Sequence, residues 1–106
     1  MSKLSELIKN KVVLLDGGMG TSLQRMNLQA ADYGGEKYLG CSEALLLYSP
    51  ERVQEVYEGY FAAGSDIILT NTFGATRIVL VEYGLEEKVH EINRIAAAFA
   101  KQAAEK

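Results

Sequence analysis

Apolar side chains in this chain follow two patterns: short unbroken runs, and stripes that return every three or four residues. Leu4, Leu7 and Ile8 share one helical face, which predicts a short helix over residues 3–10 ending at Asn10. Val12-Val13-Leu14-Leu15 is a continuous apolar run stopped by Asp16-Gly17-Gly18. Such a run predicts a strand buried on both faces, as in a parallel sheet. Residues 20–26 predict a helix start, with Thr21 or Ser22 near its cap and Leu23 and Met26 on one face. Residues 27–48 show no period, and Tyr33-Gly34-Gly35 and Gly40 are turn signals. A connection of that length in a compact domain is often functional.

Ser49-Pro50-Glu51 begins a helix: serine can cap, proline suits the first helical position, and glutamate complements the dipole. Val53, Val56, Tyr57, Tyr60 and Phe61 then form one apolar stripe, and Gly64 ends the helix in the left-handed conformation. Ile67-Ile68-Leu69 is the second apolar strand, flanked by Asp66 and Thr70. Thr76 to Tyr83 reads as a short helix closed by Gly84. Residues 86–105 form the longest helix, burying a stripe of Leu85, Val89, Ile92, Ala96, Phe99 and Ala103.

Strand, helix and strand in that order predict a parallel βαβ unit with a right-handed crossover. Both strands then run the same way and their C-terminal ends share a rim. Asp16-Gly17-Gly18 and Thr70-Asn71-Thr72 stand at those ends, where α/β folds bind ligands. Asp16 is a carboxylate placed directly after an apolar strand, and burying it requires a partner. A substrate ammonium group would serve, and so would the backbone of the following turn. Gly17, Gly18 and Gly20 permit close approach of a ligand, or simply make a tight turn. Their spacing matches neither the dinucleotide fingerprint nor a phosphate-binding loop. Alternation along an extended chain turns either Asn71, or Thr70 and Thr72, towards the interior. Glu43 is read as a solvated loop carboxylate, with an inward turn as the alternative. Cys41 has no local basic neighbour and reads as an inert thiol, and His90 as a surface or packing residue. Tyr57 and Tyr60 read as core, and Glu86, Glu87, Lys88, Glu91 and Arg94 as a solvated face.

Composition narrows the class. The 106 residues are 48% hydrophobic and 24% charged, as in one small globular domain. A net charge of −3 disfavours a sequence-independent grip on nucleic acid. There is no eighteen-residue apolar run for a membrane span and no signal-peptide core, so a cytoplasmic setting is the default. One cysteine and one histidine are too few for a four-ligand zinc site built from thiolates and imidazoles.

Three segments carry a family resemblance: Val13 to Thr21, Gly64 to Thr76, and Tyr83-Gly84-Leu85-Glu86, with Glu43 to Leu47 and Pro50-Glu51 between them. They resemble the start of the homocysteine S-methyltransferase family, and are similar in particular to the homocysteine-binding module of cobalamin-dependent methionine synthase. The resemblance implies a (β/α)8 barrel, of which residues 1–106 would be an N-terminal fragment with two parallel strand–helix units. A barrel of this kind takes about 250 residues, so this chain would not close it. The resemblance also implies a catalytic zinc, held by three cysteines outside this chain, that activates homocysteine as methyl acceptor. Cobalamin and methyltetrahydrofolate would enter through other modules. Asp16 matches the carboxylate that holds the substrate amino group, Gly17 and Gly18 match the backbone bordering homocysteine, and Asn71 and Thr72 match the second strand's end. Ser42 departs from the Asn often found before the glutamate in related modules. The implied function is methyl transfer to homocysteine to give methionine, with the isolated chain inactive. The alternative is a non-catalytic, self-associating assembly module, since open sheet edges invite pairing.

Overall fold

The computed structural model describes residues 3–105. Six α-helices carry the fold: α1 (Lys3–Asn10), α2 (Met19–Gln24), α3 (Leu45–Tyr48), α4 (Pro50–Ala62), α5 (Arg77–Leu80) and α6 (Val89–Ala104). Short 3-10 turns at Ala30–Tyr33, Glu36–Tyr38, Ser42–Ala44, Val81–Tyr83 and Glu86–Lys88 fill the connections.

The core lies between α3, α4 and α6. Leu45 and Leu46 on α3, Val53 and Tyr57 on α4, Leu80 on α5 and Ile92 on α6 are fully buried. Val53, Tyr57 and Ile92 are positions that the helical stripes single out, whereas Leu45, Leu46 and Leu80 lie outside them. Val56, Ala96 and Ala103 are buried on the same faces, while Tyr60, Val89 and Phe99 pack at their margins. Pro50 occupies the first turn of α4, where its missing N–H costs nothing. Ser49 does not cap that helix. Its hydroxyl donates instead to the Asp32 carbonyl at 2.7 Å, tying the start of α4 to the long connection. Likewise neither Thr21 nor Ser22 caps α2, whose N-cap is Gly18. Thr76 does cap α5, its Oγ1 accepting the Val79 N–H at 3.3 Å. Gly64 (φ 110°) takes the positive-φ conformation expected of it, and Gly84 (φ 71°), which closes the short helix, takes one as well.

The expected α/β architecture is not what forms. The described residues are 65% helical and contain no strand or sheet. The two apolar runs meet at one isolated parallel bridge, Leu15 to Ile67. The Leu14 carbonyl accepts the N–H groups of Asp66 at 2.8 Å and Ile67 at 3.2 Å. Beyond that point carboxylates take the place of carbonyls. The Leu14 N–H donates to Asp66 Oδ2 at 3.0 Å, and the Leu69 N–H donates to Asp16 Oδ2 at 3.0 Å. A ladder grows only while backbone pairs with backbone, so side-chain acceptors on both sides stop it after one bridge. The expected two-faced burial also fails. Val12 is 81% exposed, and Leu14, Leu15 and Leu69 are exposed as well. The chain is therefore not a piece of parallel sheet with strand–helix repeats.

The Asp66 carboxyl is held below the usual carboxylate range, first by the Leu14 N–H and then by Lys11, whose Nζ lies 2.9 Å away. A depressed folded-state pKa adds stability above the unfolded value of about 3.9 and loses it as pH falls through the folded value. Asp66→Asn should lower the thermal midpoint at neutral pH, and the gap to wild type should narrow as pH falls through and below the unfolded carboxylate value. A gap constant across an acid titration followed by circular dichroism would contradict this. In the core, Ile92→Ala should cost about 2–5 kcal/mol in denaturant unfolding. Ile78→Ala, at an exposed site on α5, should stay within about 0.5 kcal/mol of wild type. Equal effects would overturn the placement of the core.

Candidate functional site

The single bridge is enough to carry both polar motifs to one place. A cavity of about 330 Å³ opens beside it. Asp16, Gly17, Met19 and Gly20 line it from the first motif, and Leu69, Thr70, Asn71 and Phe73 from the second. Ser42 and Glu43 close it from the long connection.

Asp16 is half-buried and has one oxygen engaged by the Leu69 N–H. That bond locks the carboxylate where the two segments cross. Gly17 is fixed by its neighbour: a Cβ there would stand 2.9 Å from the Tyr60 hydroxyl. A side chain there would have to displace that tyrosine, whose hydroxyl donates to the Gly18 carbonyl at 2.8 Å. Ser22 joins the same group, its Oγ donating to the Gly18 carbonyl at 2.7 Å. Gly18 thus belongs to the support behind the first motif and does not line the cavity.

In the second motif the side chains alternate. Thr70 and Thr72 share a side, with their hydroxyl oxygens 2.7 Å apart. Asn71 turns the other way and is buried at 5% exposure. Its Oδ1 accepts the Tyr57 O–H at 2.8 Å, and its own N–H donates to the same hydroxyl oxygen at 3.1 Å. Its Nδ2 donates to the Ser42 carbonyl at 3.3 Å. Burial pushes the Tyr57 hydroxyl above its ordinary range; the Asn71 N–H opposes this and the Asp16 charge adds to it. The phenol therefore stays a donor at neutral pH. Thr72 does not line the cavity, and its carbonyl accepts the Ala75 N–H at 3.0 Å.

Glu43 takes the alternative of the two sequence readings, not the solvated one. It turns inward, and Oε2 accepts the Gly74 N–H at 3.1 Å. The partners are 31 residues apart, so no local pattern reports the contact. Its other oxygen takes the Cys41 thiol at 3.8 Å. Tyr57 was legible as core, but its link to Asn71 was missed. The available signal is that a buried phenol needs a hydrogen-bond partner. Among the residues read as a solvated face, Glu86 is half-buried, with Oε2 enclosed.

These residues do not fit the zinc implied by the family resemblance. No three His, Cys, Asp or Glu side chains come together as a metal site among the described residues. Cys41 is buried, and burial raises its thiol pKa, which opposes the thiolate that zinc needs. No helix among the described residues is long and apolar enough to cross a membrane.

Two glycines bordering a pinned carboxylate, with a fixed carboxamide lining the same open cavity, define a small-molecule pocket suited to a ligand with both charged and polar groups. The homocysteine S-methyltransferase family model matches residues 13–106, and the chain belongs to that family. The match includes both motifs, the long connection and all helices from α2 to α6. Membership associates the chain with methyl transfer.

Proposed function

We propose that this cavity holds the amino-acid portion of homocysteine, and that the chain supplies part of the substrate site of an enzyme that methylates homocysteine sulfur to give methionine. The observation that carries the reading is the pinned Asp16 carboxylate on the cavity wall of a chain that belongs to this family. One Asp16 oxygen is committed to the Leu69 N–H, and the carboxylate has acceptor capacity left for a ligand ammonium. Gly17 and Gly20 keep side chains out of the ligand's way. Asn71 lines the same cavity as a donor for the ligand carboxylate. Thr72, whose hydroxyl pairs with Thr70, acts as support for the rim. No step through zinc, a corrinoid or a folate is assigned to these residues.

Asp16→Asn separates the two duties of this side chain. The amide oxygen can still accept the Leu69 N–H, while the charge is gone. Homocysteine affinity, measured by titration calorimetry, should fall by about 1.5–3 kcal/mol, roughly 10- to 150-fold. The deaminated analogue 4-mercaptobutanoate should bind wild type and variant alike. Unchanged homocysteine affinity in a folded Asp16→Asn protein would remove Asp16 from the ammonium site.

A further inference from the structure

Tyr57 and Tyr60 lie one helical turn apart on α4, and each hydroxyl reaches one of the two motifs that meet at the cavity. Tyr60 holds the first motif through the Gly18 carbonyl, at its support. Tyr57 holds the second through Asn71, which itself lines the cavity. The Tyr57 phenol is fully buried and makes two bonds to one residue, giving to the side chain and receiving from the backbone. That pair fixes the Asn71 backbone and side chain together.

The orientation of the carboxamide follows from its surroundings. A flipped amide would set Oδ1 against the Ser42 carbonyl, acceptor against acceptor. The Tyr57 O–H on one edge and the Ser42 carbonyl on the other select a single orientation. One Nδ2 proton is used by Ser42, and the second is left over.

We infer that Tyr57 is a positioning residue for ligand selection: through Asn71 it holds the remaining carboxamide N–H as the donor for the ligand's carboxylate. The inference rests on the homocysteine reading above and assigns the carboxylate end of that ligand. Tyr57 acts by removing the alternative placements of Asn71, which would otherwise have to be frozen out when the ligand binds. The raised pKa of the phenol keeps the proton that this arrangement needs.

The test compares homocysteine with 3-aminopropane-1-thiol, which keeps the amine and thiol but lacks the carboxylate. Tyr57→Phe should weaken homocysteine about tenfold, the size of one lost hydrogen bond, and leave the carboxylate-free probe unchanged. In an Asn71→Ala background, Tyr57→Phe should have no further effect on homocysteine. Loss of both ligands alike, or of neither, overturns the inference, because a purely structural role would not tell them apart. A second readout needs no variant. In wild-type protein the Asn71 side-chain amide protons, followed by NMR, should exchange slowly, and one should shift when homocysteine binds. Exchange at the free solvent rate, or no shift at saturation, overturns the inference even if Tyr57→Phe fails to fold. If wild type binds no homocysteine, the reading of the pocket fails. The exchange rate in the free protein then still decides whether Tyr57 holds Asn71.

Discussion

The site depends on one crossing of the chain, where residues 14–16 run alongside residues 66–69. Four backbone N–H groups take part, and two of them donate to aspartate side chains rather than to carbonyls. The crossing joins the two polar motifs directly, although more than fifty residues separate its partners. Closing so long a loop costs entropy. The helices between the two segments meet that cost by burying Leu45, Leu46, Val53 and Tyr57 before the chain returns. The helical core therefore acts as the clamp, and the crossing as the point where it closes.

The same carboxylates that stop a ladder make the cavity possible. Had the Leu69 N–H found a carbonyl, the Asp16 side chain would have had no tether at the cavity wall. Glu43 is used in a comparable way, its carboxylate holding Gly74 and so drawing the long connection against the second motif. Asp16 thus does structural work with one oxygen, and Glu43 with both. On the far side, α4 offers two hydroxyls a turn apart, so that both motifs take their spacing from a rigid helix. Rigid support of this kind is what a binding wall needs if its few polar groups are to select a ligand.

The two long helices α4 and α6 were legible because spacing reports the buried face directly, whereas α3 falls in the stretch read as irregular and α1 buries no residue. The stripe from Val53 to Phe61 and the one from Leu85 to Ala103 both turn inward as their period requires. The apolar runs were misread for a physical reason. Val12 to Leu15 and Ile67 to Leu69 have the composition of buried strands, but a strand is a property of a pair. Aspartates beside both runs compete for the N–H groups that pairing would use. That competition could be suspected from Asp16 and Asp66 themselves. The meeting of Asp16, Gly17 and Asn71 survives the loss of the sheet, because one parallel bridge sets the direction of both segments. Glu43 and the Tyr57 link stayed hidden because both depend on contacts distant in sequence, which periodicity does not encode.

The central claim is that one cavity, built by this crossing, receives homocysteine. The most direct measurement is a homocysteine titration of the 15N-labelled chain followed residue by residue by NMR. Saturable shifts should appear at Asp16, Gly17, Gly20, Ser42, Leu69 and Asn71, with the α6 surface around His90 and Arg94 unmoved. Saturating homocysteine that leaves those cavity residues unshifted, or moves only residues elsewhere, would contradict the account.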